Sequence, residues 1–335
     1  MPIEIVVGLP HLSEGPILKR ARALQIPALI SANCLSRWDR RKGWPEWLGW
    51  KTGPLRNAVG IRSLDLDSGG YVCAARYGGI PWTVDAYMAL AASFPFRRFA
   101  SLDYCVEQEI ARDREEVLDR ISRTIRTNRE CRSRAEDLGI ADRFMPVIQG
   151  RAPADYERVC DALASSMVPG AIIGVGSMCR RAVAGPEGLI AVFEYLDRTL
   201  PPGVRLHGFG VKGTSLSYLK GLEHRIASID SQAYGIAARQ EARKRGASKT
   251  NEMVADHLEA WTLNQIRRAR SATSIFQCEL PLSPPAAPPT DSWEAAIAQA
   301  RQEIRDLIES GDLDHDEVTA AWVEGWAADL YAADA

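Results

Sequence analysis

Leu64-Asp65-Leu66-Asp67-Ser68-Gly69-Gly70-Tyr71 is the stretch on which the fold turns. A hydrophobic run over 59–66 stops at Asp67, and two glycines then allow a tight turn that residues bearing a Cβ resist. In an α/β protein, a strand end presents a carboxylate to a site in this way, with small residues leaving room for a flat ligand. An ordinary Asp-Ser-Gly-Gly turn reads the same. Repetition separates the two readings. Three later strand-like runs end in similar punctuation, at Asp103-Tyr104-Cys105, Gln149-Gly150 and Asp230-Ser231.

Outward from that centre, residues 3–7 form a short apolar run, 15–24 a helix and 27–32 a buried strand. Downstream, periodicity predicts helices over 83–94, 112–138, 154–167, 188–200, 215–222 and 233–245. Strands are predicted over 99–102, 144–149, 171–175, 204–209 and 226–229. Strands alternate with helices, which calls for a parallel sheet. Seven strands fall between 27 and 230, and the eighth is either the N-terminal run or 273–278. Polar residues at the C-terminal ends of at least four strands fit a (β/α)8 TIM barrel, whose site is assembled at that face. A doubly wound open sheet is the alternative, but no Gly-x-Gly-x-x-Gly follows the first strand. The domain reading is a barrel over 1–279, a Pro-rich linker over 280–290 and a helical appendage over 291–335. That appendage holds amphipathic helices at 291–310 and 315–331, suited to packing or dimerisation.

The 335 residues carry a formal charge of −2, with 46% hydrophobic and 25% charged residues. This is the make-up of an ordinary globular protein, and it excludes attachment to nucleic acid by bulk charge while leaving local basic patches open. Seven cysteines without a Cys-x-x-Cys pair indicate neither a disulfide scaffold nor a zinc ribbon. No apolar run reaches the roughly 18 residues of a membrane span, and the N-terminus has no signal-peptide pattern. Reduced thiols, a cytoplasmic location and no membrane partner are the expectation.

Residues 37–52 are read as a loop that mixes Arg37, Arg40, Arg41, Lys42 and Lys51 with Trp38, Trp44, Trp47 and Trp50. Such indoles either fold under a surface loop or stack on bases while the cations hold a nucleic-acid backbone. The arginines at 120, 123, 126, 129 and 132 recur every third residue on the 112–138 helix and read as a solvated face. Three aspartates at strand ends permit one to attack an anomeric carbon, one to manage a proton and one to bind ligand. By themselves they suit a metal site or a glycosidase equally.

The ordered set Asp67-Ser68-Gly69-Gly70-Tyr71, Asp103-x-Cys105, Gln149-Gly150, the Gly174 strand end, Gly208-x-Gly210 and Asp230 resembles the tRNA-guanine transglycosylase superfamily. The resemblance covers about residues 27–245. Leu-Asp-Ser-Gly-Gly-Tyr, Asp-Tyr-Cys-Val-Glu, Gly-Val-Gly-Ser-Met-Cys-Arg-Arg, Phe-Gly-Val-Lys-Gly and Ile-Asp-Ser-Gln-Ala-Tyr look most like its DpdA-like branch, which inserts 7-deazapurines into DNA.

The resemblance implies base exchange through two displacements at C1′, with guanine in DNA replaced by a 7-deazaguanine derivative such as 7-cyano-7-deazaguanine (preQ0). Asp230 would be the nucleophile and Asp67 the general acid/base. Asp103 and Gln149 would bind the guanine-type edge, helped by Ser68, Gly69 and the Gly174 N–H. Tyr71 would stack on the base, Val175 would wall the 7-substituent, and His207 stands near the tRNA enzymes' substrate-lining Met. DNA contacts would come from Arg40, Arg41, Lys42, Trp44, Trp47, Arg180, Arg181, Lys212 and Arg239 around the barrel mouth.

The tRNA enzymes carry a three-cysteine-plus-histidine zinc site after the nucleophile strand, whereas Cys278 is the only downstream cysteine here. No zinc or other cofactor is therefore expected, and DNA is favoured over tRNA. Alternatives are a tRNA-guanine transglycosylase, a non-catalytic nucleic-acid-binding subunit, and a nucleoside or glycoside hydrolase. A homodimer or accessory DNA-modification proteins are the further partners this reading allows.

Overall fold

The computed structural model describes residues 2–39, 46–271 and 292–310, together with 323, 324, 326–328 and 331. Arg40, Arg41, Lys42, Trp44, the 280–290 linker, the 273–278 strand candidate and most of the second C-terminal helix lie outside the described residues.

Nine strand segments make one parallel sheet: β1 (Glu4–Leu9), β2 (Pro27–Ser31), β5 (Ser63–Asp67), β6 (Phe99–Ala100), β7 (Phe144–Met145), β8 (Val147–Ile148), β9 (Ile172–Val175), β10 (Arg205–Gly208) and β11 (Ile226–Ser231). A hairpin, β3 (Ser36–Asp39) with β4 (Glu46–Trp50), stands apart from it. The sheet order is β7-β6-β5-β2-β1-β11-β10-β9-β8. β7 and β8 flank Pro146, and they pair with β6 and β9, the neighbours at opposite ends of that order. The sheet therefore closes on itself as a TIM-like barrel, with 144–148 serving as one stave. The eighth strand is the N-terminal run, which pairs β11 on one side and β2 on the other.

Proline lacks the N–H that a ladder needs, and here the Pro146 carbonyl still accepts from Gly174 N–H at 2.8 Å. Side chains reinforce this closing stave. Asn128, 1% exposed, donates to the Val147 carbonyl and to Ser101 Oγ, both at 2.8 Å. Ser101 Oγ in turn accepts from Val147 N–H at 3.0 Å.

Successive side chains on a strand face opposite ways, here the barrel interior and the helical layer. Ile173 and Val175 of β9 join Val159, Val192 and Phe193 in one core cluster outside the barrel. Val159 sits on α6 (Pro153–Ala162), and the other two sit on α7 (Leu189–Thr199). On the far side, Leu64 and Leu66 of β5 pack with Tyr87, Met88 and Ala91 of α3 (Val84–Ala92). The 24-residue helix α5 (Arg114–Asp137) starts at Asp113, whose side chain accepts from the N–H groups of Glu115 and Glu116.

Three expectations change. A 20-residue helix, α10 (Asn251–Arg270), follows α9 (Tyr234–Lys244) where no element is predicted. It lies against α9, β1 and α1 (Pro16–Leu24), and it buries Val254, Ala255, Leu258 and Thr262. The α5 arginines are not simply a solvated face. Arg120 and Arg129 donate to the carbonyls of Cys105 and Ala162, Arg132 donates to Ser166 Oγ, and Arg123 stacks 4.0 Å from the Tyr104 ring. The 37–52 region is the β3–β4 hairpin rather than a loop. Its Trp47 and Trp50 form an aromatic cluster with Trp82, with centroids 4.9–6.0 Å apart. Trp50 Nε1 also donates to the Ala86 carbonyl at 2.7 Å. Trp47, expected to stack on bases, is instead half-buried against the core, its ring set against Trp50 and Trp82.

Candidate active site

The carboxylates expected at strand ends gather at the C-terminal mouth of the barrel. A cavity of about 220 Å³ there is lined by Asp67, Asp103, Gln149, Tyr71, Phe209 and Asp230, among others. It is smaller than the roughly 300–1,000 Å³ pockets that enclose drug-sized ligands, and it suits a single flat ring system.

Asp67 ends β5 and receives the Gly69 N–H on Oδ2 at 3.1 Å. Burial, with Asp103 and Asp230 as negative neighbours, pushes its carboxyl up to about 7. The Gly69 N–H and the neighbouring Ser31 hydroxyl oppose that rise without cancelling it. A carboxyl that titrates near neutrality can both give and take a proton, which is what a general acid/base requires. The chain then turns through Gly69 (φ 80°) into α2 (Gly70–Tyr77). Gly70 must be glycine, because a Cβ there would stand 2.6 Å from the Asp103 carbonyl oxygen.

Asp103, two residues beyond Ser101 in the loop after β6, is held from both sides. Ser68 Oγ donates to Oδ1 at 2.5 Å, and Gln149 Nε2 donates to Oδ2. Burial raises the Asp103 carboxyl and these two donors work against it. Gln149 is itself clamped, since its Oε1 accepts from Ser177 Oγ at 2.5 Å. Ser177 Oγ also accepts from Val106 N–H at 2.7 Å. Ser177 adopts a left-handed backbone (φ 56°), which is uncommon for a residue with a side chain and marks a turn held by its surroundings. The result is a fixed edge of alternating acceptors and donors, Ser68–Asp103–Gln149–Ser177. Such an edge is suited to the hydrogen-bonding face of a base.

Asp230 lies on β11 with 8% of its surface exposed, and Gly210 N–H donates to its Oδ1 at 3.0 Å. His207 Nε2 stands 3.5 Å from the same oxygen. Asp230 is also one of the residues that line the cavity.

Several expected positions differ from the arrangement found. Gly174 N–H is engaged by Pro146 in the ladder, and its interior face is covered by the Phe209 ring. It is not available to a base carbonyl. Val175 faces the helical layer at 0% exposure, one residue out of phase for a cavity wall. The positions that reach the cavity from this strand end are Gly176, Ser177, Met178 and Cys179. Ser68 is fully buried and acts through Asp103. His207 is fully buried behind Asp230 and does not line the cavity.

Of the basic residues, Arg180 is exposed, with its guanidinium 5.8 Å from the Tyr71 ring, and Arg239 is exposed on α9. Arg181 corrects the expectation. It is 1% exposed and donates to the carbonyls of Gly150, Arg151, Ser177 and Glu187 and to the Tyr156 hydroxyl. A guanidinium with every donor so occupied ties loops together and cannot reach a phosphate. Lys212 is also buried, at 4% exposure, and is no surface cation.

Residues missed in the sequence include Ser31, Asn33 and Cys34 beyond β2, and Glu107 beyond Asp103, all of which line the cavity. The strand end at Ser31 carried the same polar punctuation as the others. Among the described residues no group of three or more His, Cys, Asp or Glu side chains could hold a metal ion. Among them also, no helix is long and apolar enough to cross a membrane.

Compared with known families, residues 37–306 match the model of a family described as DpdA, DeoxyPurine in DNA protein A. No curated protein matches the chain.

Proposed function

Because the chain belongs to the DpdA family, which implies DNA modification by a transglycosylase-type enzyme, we propose that it exchanges guanine in DNA for 7-cyano-7-deazaguanine or a close relative. The observation that carries this reading is the separation of environments among the carboxylates. Asp67 is pushed up to about 7, while Asp230 keeps an oxygen bound by Gly210 N–H beside the same cavity.

In the first displacement, Asp230 attacks C1′ of the nucleotide while the C1′–N9 bond breaks. An aspartyl-glycosyl ester forms, and guanine leaves with a proton supplied by Asp67. In the second, ionised Asp67 takes the N9 proton of the incoming deazaguanine. That nitrogen attacks C1′, and the ester bond breaks to regenerate Asp230. Two displacements return the original stereochemistry at C1′. The acceptor–donor edge of Asp103 and Gln149 selects a guanine-type face, and Tyr71 lies at the cavity wall where a base would stack. Nothing in this scheme calls on zinc, and the ligand set of the tRNA enzymes has no counterpart in the sequence.

The test is incubation of the protein with DNA and labelled 7-cyano-7-deazaguanine, followed by nucleoside mass spectrometry and trapping of the covalent adduct. Wild type should incorporate label, and Asp230→Asn should form no adduct, since an amide is not a competent nucleophile. Base release without incorporation would make the protein a hydrolase. Labelling of tRNA alone would return the tRNA reading, and neither product would leave a nucleic-acid-binding subunit.

A further inference from the structure

Beneath Asp230 the barrel interior holds a column of polar side chains where apolar packing would be ordinary. At its base is Asp65, fully buried, which accepts from Arg97 Nε at 2.8 Å and Nη2 at 2.6 Å, and from Arg98 Nη2 at 2.8 Å. Burial alone would raise this carboxyl, but the two guanidiniums hold it below the usual range, so it stays ionised. Arg98 Nη1 and Nη2 each stand 3.4 Å from Ser228 Oγ. Ser228 Oγ is 2.8 Å from His207 Nδ1, and His207 Nε2 is 3.5 Å from Asp230 Oδ1.

The directions of these hydrogen bonds follow from what each group can do. Arginine only donates, so Ser228 Oγ accepts from Arg98 and keeps its own hydrogen to offer His207 Nδ1. The Asp230 carboxylate facing Nε2 can only accept, which favours that direction over the reverse. A neutral imidazole that accepts at Nδ1 carries its proton on Nε2. His207 is 0% exposed, and Nε2 has no hydrogen-bond partner closer than the Asp230 carboxylate. The ring is braced edge-on against Phe209, with centroids 4.6 Å apart. A gap of 3.5 Å is long for a hydrogen bond, and contacts of this kind in unliganded sites tighten when substrate is bound.

We propose that His207 is a positioning residue for the nucleophile. Its Nε2–H, together with Gly210 N–H, engages Asp230 Oδ1 and leaves the second oxygen to attack C1′. Ser228, Arg98 and Asp65 set its tautomer. The inference rests on Asp230 being the nucleophile. It also gives the buried imidazole a purpose different from contact with the base: it decides which of two otherwise equivalent oxygens faces the sugar.

The experiment measures the rate of covalent adduct formation at saturating DNA, and base affinity separately, for wild type, His207→Leu, His207→Gln and Ser228→Ala. Losing a hydrogen bond to a charged group should slow adduct formation about tenfold to a hundredfold in His207→Leu, with base affinity within about twofold of wild type. His207→Gln, which returns an N–H donor to the same place, should recover most of the rate. Wild-type speed in His207→Leu overturns the proposal. So does equal impairment of the Leu and Gln variants with equal loss of thermal stability, because that pattern is purely structural. Nitrogen-15 NMR of the His207 ring reads the tautomer without any reaction: Nε2–H is expected, with loss of that preference in Ser228→Ala. An Nδ1–H ring in wild type overturns this inference alone, whereas wild-type protein that forms no adduct overturns the proposed function beneath it.

Discussion

Asp67→Asn should leave the protein inactive and, above neutral pH, more stable. The Asp67 carboxyl is raised from its ordinary 3.8 to about 7, first by burial and then by Asp103 and Asp230. In the unfolded chain the same group releases its proton near about 3.9. A raised folded-state value contributes stability that is fully present below about pH 4 and is lost as pH rises through about 7. Above that, the native protein holds a buried anion that an asparagine would not impose. A shift of about three units corresponds to about 4 kcal/mol at most. Because Asp67 keeps some contact with solvent, a gain of about 2 kcal/mol for Asn at pH 8 is the working figure. The amide oxygen can still accept from Gly69 N–H, so the turn into α2 is retained. Denaturant unfolding of both proteins at pH 5 and pH 8 measures it: the advantage of Asn should be small at pH 5 and should grow by roughly 1–3 kcal/mol by pH 8. A difference that stays constant with pH, or an Asn variant less stable at pH 8, would refute the assignment of a near-neutral carboxyl.

Gly176→Ala would place a Cβ 2.1 Å from Gln149 Nε2 and so force the amide off both Asp103 and Ser177. Base affinity measured calorimetrically should fall by about ten- to a hundredfold, as expected for one charge-assisted hydrogen bond lost, and unchanged affinity would show that this edge does not read the base. Arg181→Met should destabilise the fold by at least about 3 kcal/mol in chemical denaturation, because carbonyls at 150, 151, 177 and 187 lose their donor together. Its DNA salt dependence should not change, in contrast to Arg180→Ala combined with Arg239→Ala. If both exposed cations meet phosphates, that pair should flatten the log–log salt slope of DNA binding by up to about 2, at about 0.7–0.9 per contact.

The barrel was legible because strand ends that carry Asp67, Asp103, Gln149 and Asp230 break apolar runs abruptly, and period and punctuation point the same way there. The helix α10 was not, because Glu, Asp and Arg interrupt its apolar positions and its start rests on one weak signal, the Thr250 cap on Met253 N–H. Which residues gather at the barrel mouth was legible by type and order for Asp67, Tyr71, Asp103, Gln149 and Asp230, but phase within a strand was not. Moving one residue along β9 separates Val175, which faces the helices, from Gly174, which faces the interior, and composition alone does not register a strand. Charge was the least readable property. Arg180 and Arg181 are adjacent in sequence, yet one is exposed beside Tyr71 and the other is enclosed by five acceptors.

The closing stave divides the barrel mechanically. β6, β7 and β8 are two-residue segments, while β1, β2, β5 and β11 run for five or six. Asp67 and Asp230 ride on the longer strands, whereas Asp103 and Gln149 extend from the short ones, which Asn128 and Ser101 support with side-chain hydrogen bonds. On the proposed reading, the pair assigned to bonds at the sugar is thus mounted on the arc of long strands, and the pair assigned to the base on the arc of short ones. If that assignment holds, a short-strand arc would let the base-reading pair accommodate different substituents while the long-strand arc keeps the two reacting carboxylates in place.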